Sequence, residues 1–111
     1  MAYDLELADR IRELIGDEPD VAEKRMFGGL AFLIGGNMAV AASGRGGLLV
    51  RCDAEATEAL LAEPFASPMV MAGRQARGWV FVELDGVESD ETLEVWVERG
   101  YSFACSLPPK R

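Results

Sequence analysis

The sequence of 111 residues contains no histidine and only two cysteines, Cys52 and Cys105. A structural zinc ion is usually held by four cysteine or histidine side chains, two of them in a closely spaced cysteine pair. This chain has neither four such residues nor the closely spaced pair. The composition therefore excludes a zinc site of that type built from one copy of the chain.

The lack of histidine also removes the most common general acid or base of enzymes. Lysine is scarce as well, since only Lys24 and Lys110 are present. Cys52 follows Leu48 and Val50 at the alternate positions of a strand, which indicates a small buried apolar residue and not a nucleophile. We predict no catalytic residues, no cofactor, no bound metal and no enzymatic activity.

A basic and then apolar N-terminal segment, as in secretory signals, is also missing, because the first nine residues include three acids. We therefore expect a cytoplasmic protein whose cysteines stay reduced and form no disulfide. Residues 26–43 form an uncharged run about as long as a membrane-spanning helix. Gly35 and Gly36 in its middle are typical of a turn between strands, so we predict no membrane span.

Acidic residues number nineteen and basic residues eleven, which gives a formal net charge of −8. Nucleic acids and anionic membranes repel such a chain as a whole, so we expect neither as a partner. The charge is uneven, however, because residues 24–77 contain six basic and only four acidic residues. A local basic patch in the middle of the chain stays open as an alternative.

The length and the 50% share of hydrophobic residues indicate one globular domain over residues 1–111, with a disordered tail at 108–111. Apolar residues at helical spacing predict a first helix over residues 4–15, which ends at Gly16. The next segment contains apolar runs separated by glycine-rich turns. It predicts an antiparallel meander of three strands, over residues 24–34, 37–43 and 48–52.

The second half of the chain predicts a helix, a hairpin and a final helix. We expect Asp53 to cap a short helix through Leu61, and Ser89 to cap a last helix that runs to about residue 106. Between them lie the two predicted strands of the hairpin, residues 69–72 and 78–84. The predicted fold class is α+β: helix, three-stranded antiparallel meander, helix, two-stranded hairpin and helix, with the helices on one face of a five-stranded sheet.

Four short motifs along the chain resemble one protein family. They are Met26-Phe27-Gly28-Gly29, Leu49-Val50-Arg51, Gly78-Trp79 and Trp96-Val97. Together with the predicted order of elements, they resemble the N-terminal domain of the TfoX/Sxy family over nearly the whole chain. The resemblance implies a regulatory domain that acts through protein contacts, since two-domain members are regulators of natural competence in bacteria. Because the sequence ends at Arg111, we expect a stand-alone, single-domain member.

Gly28 and Gly29 stand in an apolar run where most strands carry side chains. Glycines in such a place are typical of a bulge, or of a close approach by a helix that would collide with a Cβ. The alternative is a backbone that a ligand or partner approaches. Residues 43–47 likewise predict either a plain hairpin turn or a loop that wraps an anion with backbone N–H groups and Arg45.

The strand predicted over residues 78–84 is apolar on both faces, whereas an antiparallel strand with one face in water would alternate with polar residues. Helices on one side of a sheet leave the other face uncovered, and a large exposed apolar patch typically marks an interface. We therefore predict a surface that contacts a protein, either a second copy in a homodimer or an unknown partner. The candidate residues are Trp79, Phe81, Leu33 and Leu49.

Five arginines in the middle of the chain are candidates for binding an anion, because the planar guanidinium group matches carboxylate and phosphate groups. They are Arg25, Arg45, Arg51, Arg74 and Arg77. The alternative is that they pair with the many acids of the two terminal helices, which would be common and individually weak surface contacts. Binding of a small anion or of nucleic acid is therefore a second functional hypothesis beside the protein contact.

Overall fold

The computed structural model describes residues 3–26, 28–71 and 73–109. This part of the chain contains three α-helices and six strands, and a short 3₁₀ helix precedes the last α-helix. In chain order they are α1 (Leu5–Ile15), β1 (Val21–Met26), β2 (Gly29–Ile34), β3 (Asn37–Ala42), β4 (Leu48–Arg51), α2 (Thr57–Leu61), β5 (Ala66–Met71), β6 (Arg74–Val82), the 3₁₀ helix (Leu84–Val87) and α3 (Asp90–Ser106). The α+β class is confirmed, whereas the predicted five strands are wrong.

All neighbouring strands are antiparallel, in the spatial order β1-β2-β3-β4-β6-β5. The first four strands follow one another through short turns, so strands that are consecutive in the chain are also neighbours in the sheet. After α2 the order changes, because β6 pairs with β4 and β5 lies outside β6. β1 and β5 are therefore the two edges of the sheet.

The missed strand lies in the segment predicted as one strand over residues 24–34. The chain reverses after Met26, and β1 and β2 form a hairpin in which Arg25 pairs with Leu30. Gly28 has a φ of +75°, in the left-handed region that glycine adopts without a steric penalty. The meander therefore has four strands, and the predicted element order is corrected at this point. Phe27 of the motif lies outside the described residues.

A neighbouring segment lies close to Gly29, as expected, but that segment is a strand and not a helix. A Cβ at this position would overlap the carbonyl oxygen of Ala42 in β3. The Gly35–Gly36 turn has positive φ at both residues, as a tight two-residue hairpin turn requires. The turn predicted there is confirmed.

The β5–β6 hairpin is longer than predicted. β5 begins at Ala66 rather than at residue 69, and β6 begins at Arg74 rather than at residue 78. The polar residues 73–77 suggested a loop, but the exposed end of a hairpin accepts polar side chains within its strands. Residues 72 and 73 alone separate the two strands, and residue 72 lies outside the described ranges.

Side-chain caps begin the two long helices, α1 at Asp4 and α3 at the predicted Ser89. The Asp4 carboxylate accepts a hydrogen bond from the backbone N–H of Leu7 at 2.9 Å. The Ser89 hydroxyl accepts one from the backbone N–H of Thr92 at 3.2 Å. Each cap satisfies an N–H group that has no partner within its own helix. The predicted start of the last helix is confirmed.

The first face of the sheet packs against α1 and α3 and holds the larger core, which includes Phe32, Val50 and Trp96. On this face α3 lies so close to β3 that a Cβ at Gly100 would overlap the carbonyl oxygen of Ala39. The helices thus lie on one side of the sheet. This arrangement leaves the opposite side of the sheet to be covered by other means.

The opposite side, called the second face below, carries a smaller apolar cluster. Within the described ranges this cluster contains strand residues only. Its buried members are Ala31, Met38, Ala41 and Leu49, and its partly buried members are Met26, Leu33, Met69, Trp79 and Phe81. The second face is therefore sheltered by its own side chains and not by a helical layer.

An ion pair ties β1 to α1 on the first face. The Arg12 guanidinium donates from Nε to Glu23 Oε2 at 2.6 Å and from Nη2 to Glu23 Oε1 at 2.8 Å. These hydrogen bonds, with the charge attraction, hold the pKa of Glu23 below its usual range and raise the pKa of Arg12. The Glu23 side chain therefore points towards α1 and away from the second face.

Asp53 does not cap α2, contrary to the prediction, because the helix starts only at Thr57. The Asp53 carboxylate instead accepts a hydrogen bond from the backbone N–H of Glu55 at 2.8 Å, which closes a turn before the helix. The fully buried Thr57 hydroxyl accepts from the backbone N–H of Gly78 at 2.9 Å and donates to the Asp53 carbonyl at 3.2 Å. This hydroxyl joins α2 to β6.

The segment after α3 returns to the β2–β3 turn. The Nδ2 group of Asn37 donates a hydrogen bond to the carbonyl oxygen of Pro108 at 2.9 Å. Residues 110 and 111 of the predicted disordered tail lie outside the described residues. Of the predicted tail, residues 108–111, Asn37 forms this hydrogen bond with the first residue, Pro108.

Replacing Thr57 with valine should lower the free energy of unfolding by about 1–3 kcal/mol, because the buried N–H of Gly78 loses its acceptor. Thr57→Ser keeps the hydroxyl and should cost about 1 kcal/mol or less. Urea unfolding of the two variants measures the difference. A Thr57→Val protein as stable as the parent would contradict the role of this hydroxyl.

Candidate functional site

All four residues predicted for a contact surface lie on the second face. Trp79, Phe81 and Leu33 are partly buried, whereas Leu49 is only 5% exposed and lies beneath them. Strand pairing explains their proximity, because Leu49 pairs with Phe81 across β4 and β6. Directly opposed residues of antiparallel strands project from the same face.

The second face contains a hollow of about 100 Å³ between the two edges of the sheet. Met26 of β1 borders it on one side, and Met69 and Val70 of β5 border it on the other. β1 and β5 are the two edge strands of the sheet, so both can border the same hollow only if the sheet curls around its second face. The remaining lining residues are Gly29, Ala41, Ala42, Ser43, Arg45, Leu49 and Phe81. We call this cavity the hollow below.

Two of the five candidate arginines stack on aromatic rings. The Arg45 guanidinium carbon is 5.1 Å from the centre of the Phe81 ring, at the border of the hollow. That of Arg51 is 5.0 Å from the Trp79 ring and 5.4 Å from the Phe103 ring of α3. All three distances are typical of cation–π contacts. Arg51 Nε is buried and has no hydrogen-bond partner among the described residues.

The other three candidate arginines lie apart from this group. Arg25 is exposed and pairs with Leu30, whose side chain belongs to the first face. Arg77 donates a hydrogen bond to the carbonyl oxygen of Ala54 at 3.2 Å. Arg74 is exposed at the start of β6. The structure thus brings Arg45 and Arg51 together with the apolar candidates, but not the remaining three.

Ion pairs do not account for the five candidate arginines within the described ranges. The ion pairs found there link Arg10 with Asp90, Arg12 with Asp9 and Glu23, and Arg99 with Glu63. The arginine of each of these pairs lies in α1 or α3. The expectation that surface acids neutralise the central arginines finds no example among the described residues.

Nearly all charged residues of the strands are basic. The six strands contain one acid, Glu23, and that carboxylate is bound to Arg12 on the first face. Their basic residues are Lys24, Arg25, Arg51, Arg74 and Arg77. Lys24 pairs with Ala31, a member of the second-face cluster. Arg51 likewise pairs with Trp79 of that cluster, so the strand residues of the second face carry positive charge in a chain of net charge −8.

The loop at residues 43–47 is an ordinary turn in its hydrogen bonding. The backbone N–H of Arg45 donates to the Ser43 hydroxyl at 3.0 Å, and that of Gly46 donates to the Ser43 carbonyl at 3.0 Å. These N–H groups are already engaged, so they do not converge on an anion as a nest requires. What the loop contributes to the site is the Arg45 side chain.

Several residues of the site were not predicted as contact residues. Met69 and Ala41 line the hollow, and Phe103 stacks on Arg51. Their roles depend on which strands are edges and on where the end of α3 lies. Neither the apolar pattern nor the turn residues carry that information.

Both cysteines are free, with Cys52 buried 3.6 Å from the Thr57 hydroxyl and Cys105 exposed. In the part of the chain that the structure describes, no group of three or more cysteine, aspartate or glutamate residues is arranged to hold a metal ion. Among the described helices, none is long and apolar enough to cross a lipid bilayer.

The curled antiparallel sheet with helices on one face defines a small α+β domain whose distinctive surface is the second face. A family model for the TfoX N-terminal domain matches residues 13–104, which include all six strands and most of α3. The chain therefore belongs to the TfoX N-terminal domain family, as its motifs predict. Searches of curated proteins and of solved structures found no significant match.

A double-mutant cycle tests the contact between Arg51 and Trp79. The effect of replacing both residues with alanine should differ from the sum of the two single effects by about 0.5–2 kcal/mol in the free energy of unfolding. The reason is that either single replacement already removes the contact between the two side chains. Arg74→Ala with Trp79→Ala is the matched pair and should be additive within about 0.5 kcal/mol. Additive effects in the Arg51 cycle would show that the stacking contributes nothing to stability.

Proposed function

We propose that this chain is a non-enzymatic regulatory domain that acts as an adaptor, binding another protein through its second face. The observation that carries the proposal is an apolar hollow bordered by a stacked arginine, on a sheet face whose apolar cluster consists of strand residues only within the described ranges. Membership of the TfoX N-terminal domain family supports a regulatory role of the competence-related type. The free cysteines fit the cytoplasmic location that we propose with it.

The residue types on the second face match those of protein interfaces. Tryptophan, phenylalanine, methionine and arginine are enriched in interface cores, and tryptophan and arginine often dominate the binding energy. Here Trp79 and Phe81 are partly exposed and already stacked with Arg51 and Arg45. Side chains that are ordered before binding lose less entropy when the complex forms.

Charge favours a different protein over a second copy as the partner. In a symmetric dimer the same patch meets itself, so Lys24, Arg45 and Arg51 of one copy would lie against the same cationic patch of the other. Opposed like charges disfavour that contact, whereas an acidic surface would complement it. A homodimer through this face is therefore an outcome to be tested and not the proposed state.

Site-specific photocrosslinking in the native host tests the surface. With p-benzoylphenylalanine at position 81, we expect a covalent adduct with another protein, because this side chain is partly exposed on the second face. The matched control places the same group at position 95 in α3, where Val95 is 48% exposed on the helical side, and should give no adduct.

An adduct of twice the mass of the chain at position 81 would identify a second copy and support the homodimer instead. Adducts of equal yield at positions 81 and 95, or none at position 81, would contradict the proposed surface.

Binding of an anion or of nucleic acid is the second candidate function, because the strands contain five basic residues and one acid. With a fluorescent single-stranded oligonucleotide, this function predicts an affinity that falls steeply with added salt. The affinity should disappear in an Arg51→Ala/Arg77→Ala variant and persist in Arg10→Ala/Arg12→Ala, which removes the same charge from α1. Weak binding that is equal in both variants would reject it.

A further inference from the structure

We propose that the hollow is an anchor site for one medium-sized aliphatic side chain, carried by an acidic segment of the partner protein. This inference rests on the proposed function and specifies the chemistry of the partner. Three observations support it: the volume of the hollow, the chemistry of its lining, and the distribution of charge around it.

The volume of the hollow selects the size of the anchor. An apolar protein cavity of about 150 Å³ binds benzene, so a hollow of about 100 Å³ suits a side chain such as leucine and is too small for an indole. The limit is set by neighbouring backbone and small side chains, because Gly29, Ala41 and Ala42 lie among the lining residues.

The lining favours an apolar group over a polar one. Met26 and Met69 line the hollow from the two edge strands, and Phe81 lines it from β6. Methionine side chains are flexible and polarizable, so they adapt to the shape of an inserted aliphatic group. The one hydroxyl in the lining, on Ser43, already accepts a hydrogen bond from the backbone N–H of Arg45.

The charges around the hollow select acidic neighbours for the anchor. Arg45 borders the hollow and is exposed, so its guanidinium N–H groups can reach carboxylates beside an inserted side chain. Lys24 and Arg51 add positive charge to the same face. The one carboxylate on the strands belongs to Glu23 and is bound to Arg12 on the opposite face, so it does not compete for these groups.

An extended segment fits the edge of the sheet beside the hollow. β5 is an edge strand, and its Met69 and Val70 both line the hollow. An edge strand offers unpaired backbone groups to an added strand, while a pocket beside it receives one of the alternate side chains. The exposure of Val70, 57%, leaves this approach open.

The test measures fluorescence anisotropy of labelled heptapeptides with the purified full chain. The probe has a central leucine flanked by aspartate and glutamate. One comparison peptide has a central alanine, and another keeps the leucine but has lysine flanks. We expect the acidic leucine peptide to bind at least about tenfold more tightly than either comparison peptide. The alanine peptide buries three fewer carbon atoms in the hollow, and lysine flanks are repelled by the positive charge of the second face.

Two variants test whether the preferences for a central leucine and for acidic flanks arise at the hollow. Ala41→Leu fills the hollow and should abolish the preference for leucine over alanine, while the preference for acidic flanks persists. Arg45→Glu should abolish the preference for acidic flanks. Its matched control, Arg25→Glu, makes the same charge change at an exposed position that pairs with a first-face residue, and should leave both preferences unchanged.

If circular dichroism shows that Ala41→Leu does not fold, Met69→Ala replaces it. That variant enlarges the hollow and should shift the preference from a leucine-centred to a phenylalanine-centred peptide. Equal binding of the leucine and alanine peptides, no binding at millimolar peptide, or indifference to Arg45→Glu would overturn the anchor site.

The outcome for the anchor site is separable from that of the proposed function. If the peptides fail while position 81 still crosslinks to another protein, the adaptor function stands and the anchor chemistry is wrong. If the peptides bind as expected while position 81 gives no adduct in cells, the hollow binds such segments but the proposed function fails. Salt-sensitive binding of the oligonucleotide, without binding of the peptides, would favour the anion-binding function and overturn the anchor.

Discussion

The described fold depends on one constraint: a six-stranded sheet that is apolar on both faces has helices on only one of them. α1 and α3 shelter the first face, and α3 approaches β3 closely enough to require glycine at position 100. The second face must reduce its contact with water by its own means. It does so by curling, with small residues at its centre and methionine, aromatic and arginine side chains around them.

Much of the fold could be predicted from the sequence because its signals are local. The cap at Ser89 and the paired glycines of the β2–β3 turn are properties of a few neighbouring residues. The β1–β2 turn was missed for a physical reason. β2 is buried on both faces, so the apolar run into it is continuous, and no polar interval marks the reversal at Gly28.

The candidate site could be predicted only in part. Alternation along a strand suffices to place Trp79 and Phe81 on one face, and both are there. The hollow could not be anticipated, because it needs β1 and β5 to be the two edges and the sheet to curl between them. The face of the sheet on which Arg25 lies likewise depends on how β1 pairs with β2. A change of one residue in that pairing would move the Arg25 side chain to the other face.

The separation of charge between the two layers gives the domain an electric dipole moment. The exposed acids of α1 and α3 lie on one side, and the strand residues Lys24 and Arg51 lie on the other. A molecule of net charge −8 repels a negatively charged partner at long range, yet the local field of the sheet would turn the acidic segment of the proposed partner towards the second face. In that proposed complex, encounters would be oriented before the surfaces touch, and dissolved ions, by shortening the range of the field, would slow association more than they weaken the finished complex.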